Sequence, residues 1–317
     1  MFEGLPCFAN HVMVTGTVVM SLSLNTEKQT MSPAVYQKTI TSKDPRMLCD
    51  AFSLISGLSK TKVKKAMTKG AAWIRRPKKK KRRIRRATAP VYDGDTIWLY
   101  YDQHILEQTP PTARCLKDGI HYSIWFKPSG LMSQGSHFGD HCAITRQAES
   151  WFQPERPVYL VHRLDREVSG VIILAHQYNA ASRLSRLLQN NQIKKGYQAR
   201  VKGDLSRHSA HGLIDLPLDG RHAVTQYKIT EYDNASDTSV VRVNIETGRR
   251  HQIRRHFDII GFPILGDPRY GHHNSHAAGL QLVAFSVQFD CPFGGGRISV
   301  NIDPDQPDIV SIQKQAK

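Results

Sequence analysis

The chain has 317 residues, enough for one large buried core and a smaller second one. A content of 40% hydrophobic and 22% charged residues excludes a disordered or fibrous chain. The net charge of +17 is far from ordinary and points to a polyanionic partner, nucleic acid or an anionic surface, with a merely soluble basic protein as the plainer reading.

Five cysteines, at 7, 49, 115, 142 and 291, form no CxxC pair and leave one without a mate. This argues against a disulfide framework and a zinc site, and for a reducing, cytoplasmic setting. Residues 1–45 form an N-terminal extension without an interpretable motif. Its apolar stretch, residues 12–24, is interrupted by Thr and Ser and has no Lys or Arg before it. It is too short to span a bilayer, so no membrane partner is expected, and it reads as ordinary sequence or a strand.

Residues 46–102 carry a sharper pattern. Leu48, Phe52 and Ile55 mark one face of a helix that Gly57 is placed to end. Ser59 is a suitable N-cap for a second helix, which puts Val63, Ala66 and Met67 on one side and Lys60, Lys62, Lys64, Lys65 and Lys69 around the rest, with Gly70 closing it. From Arg75 to Arg86 every residue except Pro77 and Ile84 is Lys or Arg, and no acidic residue occurs between Ala51 and Tyr92. Mutual repulsion predicts an extended segment, and phosphates would neutralise it with release of counterions. Lys62, Lys65, Arg75, Arg76, Lys79, Arg82 and Arg83 are the candidate RNA contacts, a solvated and partly disordered charge run being the alternative. Two short helices, a basic segment and a strand pair closing on Tyr92-Asp93-Gly94-Asp95-Thr96-Ile97 resemble the S4-like RNA-binding module.

Residues 103–114 read as a linker, with prolines at 110 and 111, and residues 115–310 as a larger domain, followed by a tail at 311–317. Ile120, Tyr122, Ile124 and Phe126 alternate with His121 and Ser123 in a strand that runs into a turn at 127–130. Further strands are predicted at 158–161, 170–175, 197–201, 227–232, 240–245, 282–289 and 298–302. Asn179 is a candidate cap for a helix in which Ala180, Leu184, Leu187 and Leu188 share a face, and residues 251–260 read as helical with Gly261 after them. Many strands with few helices, not strictly alternating, predict an α+β domain around a mixed, largely antiparallel sheet.

The densest polar segment is Val161-His162-Arg163-Leu164-Asp165-Arg166-Glu167-Val168-Ser169-Gly170, between two apolar strands. Flanking strands limit the freedom of a reactive carboxylate in such a loop, although Asp165 alone is equally an aspartate neutralised by a neighbouring arginine. His162, His251 and His256 invite a metal reading. The spacing from His251 to His256 does not place both imidazoles on one helical face and no carboxylate completes a set, so no metal is expected. Gly294, Gly295 and Gly296 read as a hairpin turn, since no helix or Lys-Ser/Thr sequence follows to make a phosphate loop.

Four ordered segments carry a resemblance across residues 115–302. HRLDREVSG, residues 162–170, resembles the HRLD-x-x-[ST]-SG signature of RluA-like pseudouridine synthases. Lys195-Gly196-Tyr197-Gln198-Ala199 resembles their K-x-Y-x-A segment. Residues 246–256, ETGRRHQIRRH, resemble TGR-x-HQ[IL]R-x-H, followed by Pro263-Ile264-Leu265-Gly266-Asp267 and Tyr270-Gly271. Phe126-Lys127-Pro128-Ser129-Gly130-Leu131 resembles NKP-x-GL. Val168 stands where Thr or Ser is usual, Phe126 where Asn is usual, and Arg250 and Arg255 where smaller or uncharged residues are common.

The resemblance implies an isomerase that converts uridine to pseudouridine in RNA, ribosomal rather than transfer RNA if the S4-like module is a guide, acting as a monomer and without a cofactor. It puts Asp165 on the catalytic aspartate, Tyr197 on the active-site tyrosine, Arg254 on the arginine that pairs with the aspartate, and Arg163 on the arginine that fills the gap left by a flipped base. His162, Arg249 and His251 are further candidate RNA contacts. Without the resemblance, Tyr197 reads as a core-facing strand residue, Arg163 as a surface cation and Arg254 as a phosphate binder. The residue types allow Asp165 to stabilise positive charge on the sugar, to act as a nucleophile or to take a proton from the sugar. A non-catalytic RNA-binding or ribosome-assembly factor, and a hydrolase releasing free uracil, are the rival readings.

Overall fold

The computed structural model describes residues 32–315, so the stretch at 12–24 lies outside the described residues. Its contacts divide the chain into two compact units, the first running to Thr109 and including Gly135–Cys142, the second comprising Pro110–Gln134 and the chain from Ala143 onward.

The first unit contains β1 (Ala34–Thr39), α1 (Leu48–Ser56), α2 (Lys60–Thr68), β2 (Ala72–Arg75), β3 (Arg82–Arg83), β4 (Thr96–Tyr101) and α3 (Gln103–Glu107). Its sheet has the order β1-β4-β2-β3, antiparallel throughout. Gly57 ends α1 in the left-handed conformation with φ of 69°, which a glycine adopts at no steric cost, and the Ser59 hydroxyl accepts from the Lys62 amide at 3.3 Å. Leu48, Phe52, Val63 and Met67 are fully buried, so the amphipathic faces of the two helices close one core with Ile74, Ile97 and Leu99.

Three sequence expectations change here. Residues 34–39, read as part of an extension, form edge strand β1, paired with β4 from Ala34 against Tyr101 to Thr39 against Thr96. Six residues are too few for periodicity to separate a strand from a tail. The stretch 103–114 contains α3, capped by Asp102, whose carboxylate accepts from the Ile105 amide at 3.1 Å. The basic run does not stay extended but folds into the β2–β3 hairpin. Arg83 and Arg85 pair with Asp140, Arg83 lies 4.4 Å over the Trp73 ring, and Lys81 lies 4.1 Å over Trp98 and donates to the Tyr100 hydroxyl at 2.6 Å. Local counter-charge and ring faces offset the repulsion that the bare sequence implies.

The second unit contains β5 (Arg114–Lys117), β6 (Tyr122–Lys127), α4 (Ile144–Trp151), β7 (Tyr159–Leu160), β8 (Ser169–Ala175), α5 (Tyr178–Gln189), β9 (Lys194–Lys202), β10 (His211–Asp215), β11 (Val224–Asp233), β12 (Thr238–Ile245), α6 (Gln252–Ile259), β13 (Leu282–Asp290), β14 (Arg297–Ile302) and β15 (Val310–Gln315). They build an eleven-stranded sheet whose main path is β10-β11-β12-β9-β13-β8-β6-β5, with β7 on β8 and β14 and β15 beyond β13. The pairing is antiparallel except between β8 and β13, which makes this the expected α+β fold with a mixed, largely antiparallel sheet. Residues 311–315, read as a tail, are strand β15. Helix α5 starts at Tyr178 with Gln177 at its cap, so Asn179 lies inside the first turn and does not cap it.

Each face of the sheet carries its own core. One holds Trp125, Tyr197, Val241, Ile253 and Phe257, the other Ile124, Ile173, Leu184, Val287 and Val300. The parallel β8–β13 contact is unusually close. A Cβ on Gly170, at φ +127°, would stand 2.2 Å from the Ala284 carbonyl oxygen, so glycine is required where β8 leaves the HRLD loop.

Candidate active site

The HRLD segment leaves β7, turns at Asp165 and returns as β8, and residues 127–133 hold that turn from beneath. The Lys127 ammonium, fully buried, donates to the carbonyls of Pro128 at 3.1 Å, Leu131 at 2.7 Å and Arg166 at 3.3 Å. The Gly130 amide donates to Arg166 O at 2.8 Å, and the Ser133 hydroxyl donates to Leu164 O at 2.6 Å while accepting from Leu164 N at 3.0 Å. Loop carbonyls that would otherwise be buried without partners are thereby satisfied, which fixes the backbone carrying Asp165. Burial pushes the Lys127 ammonium down to about 7, with Asp165 and Glu167 pulling it back up. The sequence displayed Lys127 within a motif, but one of its three carbonyl partners, Arg166 O, comes from a segment 39 residues away.

Asp165 is 29% exposed and faces Arg254, whose Nη1 is 3.2 Å from Oδ2. Arg254 projects from the first turn of α6 and is 1% exposed. Its main partner is a residue not singled out from sequence. Asp267 takes Nε and Nη2, both at 2.7 Å, and Glu167 lies 3.4 Å from Nη1. Burial pulls the guanidinium down, but Asp267 and Asp165 more than offset it, so Arg254 is held charged more firmly than an exposed arginine. The expected Asp165–Arg254 pair is present, but it is one arm of a cluster organised by Asp267.

Tyr197 stands on β9, 6% exposed, opposite Val243 on β12. Burial and then the nearby Asp165 charge raise its phenol pKa, so it is neutral at working pH. A recess of about 100 Å³ is lined by Tyr197, Asp165, Arg254, Leu164, Val168 and Leu282, among others. It adjoins an outer basin of about 670 Å³ lined by Arg163, Arg249, Arg250 and Arg269 together with Ser133, Asp165 and Glu167. Asp165, Arg163, Arg249 and His251 line both. The inner space sets the Tyr197 ring and apolar side chains beside Asp165 and Arg254, and the outer is rimmed by guanidinium groups, an arrangement suited to a base within and phosphates without.

Motif residues outside this pair of cavities serve the scaffold. Gln252 accepts from the Thr247 hydroxyl at 2.7 Å and the Arg249 amide at 3.0 Å while donating to Val224 O at 2.8 Å, which pins the TGR turn to β11. The His256 ring lies between the Thr225 hydroxyl at 2.9 Å and Leu216 O at 3.0 Å. His162, expected to touch RNA, is not brought to either cavity. Its Nε2 accepts from the Ile173 amide at 3.1 Å, and burial, then Lys195, push its pKa down to about 3, leaving a neutral imidazole that joins the loop to β8.

Arg163 is exposed at the basin, and Arg249 reaches it with its Nε donating to His222 O at 2.9 Å. Arg255 has its own counter-charge in Asp219, at 2.9 and 3.0 Å. Of the candidates in the first unit, Lys62, Lys65, Arg75, Arg76, Lys79 and Arg82 are exposed. Arg83 is committed to Asp140, a partly buried carboxylate that also pairs with Arg85. Among the described residues no group of three or more His, Cys, Asp or Glu side chains is placed to hold a metal, and no helix is long and apolar enough to cross a membrane.

A mixed sheet that brings an arginine-paired aspartate and a buried tyrosine to one recess has the make-up of an enzyme site. The family model described as RNA pseudouridylate synthase matches residues 121–258. The dual-specificity RNA pseudouridine synthase RluA of Salmonella typhi is 35% identical over 228 residues, which is 66% of this chain and 93% of that protein. An uncharacterised RNA pseudouridine synthase of Chloroflexus aurantiacus is 40% identical over 131 residues, covering 37% of this chain and 40% of the relative's length. The solved structure of human RNA pseudouridylate synthase domain containing 1 aligns over 66% of this chain and 94% of its own, with 19% identity and a TM-score of 0.53, a likeness of fold. The chain belongs to the RluA-like family of RNA pseudouridine synthases, isomerases that modify RNA.

Proposed function

We propose that the chain isomerises one or a few uridines in structured RNA, ribosomal RNA in preference to transfer RNA, with Asp165 as the catalytic carboxylate and an S4-like module at residues 46–102 as a second RNA grip. The observation that carries this reading is the position of Asp165, open to both cavities and held by a buried cation. The preference for ribosomal RNA rests on the resemblance of residues 46–102 to an S4-like module, on which Lys62, Lys65, Arg75, Arg76, Lys79 and Arg82 are exposed for phosphate contact.

In this reading a uridine leaves its stack at a cost of a few kcal/mol. Its uracil enters the recess against the Tyr197 ring, which returns about 1–3 kcal/mol of stacking. Arg163 fills the vacated place with its planar guanidinium, and Arg249 with the other basin arginines holds the flanking phosphates. The ionised Asp165 meets C1′ as the bond from C1′ to N1 breaks. The freed base turns, the bond from C5 to C1′ forms, and the C5 proton is lost while N1 gains one, so nothing is consumed. Arg254, 3.2 Å from Oδ2, places a fixed positive charge beside that carboxylate.

Asp165→Asn tests the assignment. Pseudouridine formation should fall below detection while RNA affinity stays within about twofold, since one carboxylate adds little to phosphate binding. Undiminished turnover would refute the role, and free uracil in the wild-type reaction would favour the hydrolase reading. Mapping pseudouridine in total RNA from cells with and without the protein names the target. Loss of a site in transfer RNA alone would overturn the ribosomal preference.

A further inference from the structure

His251 stands at the start of α6, beside the free edge of Asp165. It caps α6 in the left-handed conformation, with φ of 53° and ψ of 29°, which turns its ring toward both cavities. Its Nδ1 is 3.0 Å from the Tyr270 hydroxyl and its Nε2 is 3.8 Å from Asp165 Oδ1, the oxygen that Arg254 does not hold. The two rings meet edge-on at 5.8 Å and 81°, and the opposite contact of Tyr270 is the Arg254 guanidinium, 5.3 Å from its ring centre. Asp267 fixes this arrangement from behind, accepting from the Tyr270 amide at 3.2 Å as well as from Arg254.

We propose that Tyr270 and His251 form a donor relay that orients the Asp165 carboxylate, with the phenol donating to Nδ1 and the imidazole proton held on Nε2, directed at Oδ1. The inference rests on Asp165 being the catalytic group. A neutral imidazole carries one N–H and one lone pair, and a lone pair facing a carboxylate would be repelled, so the proton belongs on Nε2. Nδ1 is then an acceptor, and a phenol is the donor it needs. The groups facing the ring are Asp165, Arg254, Arg250, Arg269 and Tyr270. Burial, with the three arginines, works against protonation of His251 and Asp165 works for it, the balance leaving the ring less basic than usual. The 3.8 Å approach is longer than a hydrogen bond. Such contacts shorten when substrate closes the site, and with Arg254 on Oδ2 and His251 on Oδ1 the carboxylate plane would be set by two donors. His251 and Tyr270 are therefore positioning residues.

Single-turnover assays on the full chain test this. Tyr270→Phe keeps the ring and removes only the hydroxyl, and His251→Phe keeps the ring shape and removes the donor. Both should slow the chemical step by roughly tenfold to a hundredfold, the scale of a small misplacement at a reacting centre, with RNA affinity unchanged. His251→Gln, whose amide can donate from a similar position, should recover part of the rate lost in the phenylalanine variant. Independently, ¹⁵N shifts of histidine-labelled protein should report the Nε2-protonated tautomer for His251, and Tyr270→Phe should weaken that selection by removing the donor to Nδ1. Wild-type rates in Tyr270→Phe and His251→Phe, or the Nδ1-protonated tautomer in the wild type, would overturn the relay. An active Asp165→Asn would instead overturn the functional reading beneath it.

Discussion

Arg254 gives two of its nitrogens to Asp267, each at 2.7 Å, and only the third to Asp165, at 3.2 Å. The strong bidentate bond sets where the guanidinium lies, and the weaker arm presents a positive charge to the Asp165 carboxylate, the proposed catalytic group, without sequestering it. A carboxylate gripped by both arms of the arginine would be less available to a sugar.

Asp267→Asn should therefore damage the site although Asp267 itself is buried and lines neither cavity. Losing the counter-charge to a buried guanidinium costs about 3–5 kcal/mol, to be read from the urea midpoint. Surviving folded protein should show a reduced single-turnover rate with unchanged RNA affinity, because Arg254 would shift toward Asp165 and Glu167. A variant with wild-type stability and rate would show that Arg254 needs no anchor.

Arg250 and Arg269 line the outer basin at positions where the motifs do not demand arginine. Alanine at either should weaken RNA binding uniformly across sequences and lower the slope of log affinity against log salt by about 1. The rate at saturating RNA should hold, since neither reaches Asp165 by hydrogen bond. A fall in that rate without a change in slope would remove them from phosphate binding.

His162 is held neutral, its pKa lowered from 6.5 to about 3, while in the unfolded chain it titrates near the ordinary value. The unfolded state then binds more protons between these values. The contribution is fully present above about pH 6.5 and is lost as pH falls toward 3, on the order of a few kcal/mol. Stability measured from pH 7 to 4 should fall less steeply in His162→Gln than in the wild type, although the variant starts lower. Parallel curves would mean that the imidazole titrates normally.

Val168 is 3% exposed and packs with Leu164 and Ile253 in the core beside Tyr197. Val168→Thr restores the hydroxyl common in the family but inserts it among apolar neighbours, so a loss of about 1–3 kcal/mol is expected by thermal or urea unfolding. Pseudouridine formation at permissive temperature should persist. A more stable threonine variant would indicate a partner for the hydroxyl that the valine form conceals.

The family and the candidate site were legible in the sequence wherever one short segment carries a whole motif. HRLD, K-x-Y-x-A and TGR-x-HQ-x-R each put one residue at a fixed place on a turn, strand or helix start, and the fold brings those three, Asp165, Tyr197 and Arg254, to the lining of one recess. The α+β class was legible too, because strand and helix periods are local properties. What depended on residues far apart in the chain was not. Edge strands β1 and β15 exist only because β4 and β14 offer them partners. The basic hairpin is ordered by Asp140, outside the charge run itself.

The same distinction separates His162 from Asp267. By sequence the first adjoined the catalytic loop and the second merely followed a motif. Folding turned the histidine inward to the Ile173 amide and brought the aspartate under Arg254. Amino-acid order alone determined which groups could react and which stretches would be strand or helix, because those depend on side-chain chemistry and near neighbours. Tertiary structure decided which charges meet, which imidazole faces the cavity and which is spent on the backbone, because burial and pairing are set by segments that approach only when the sheet closes.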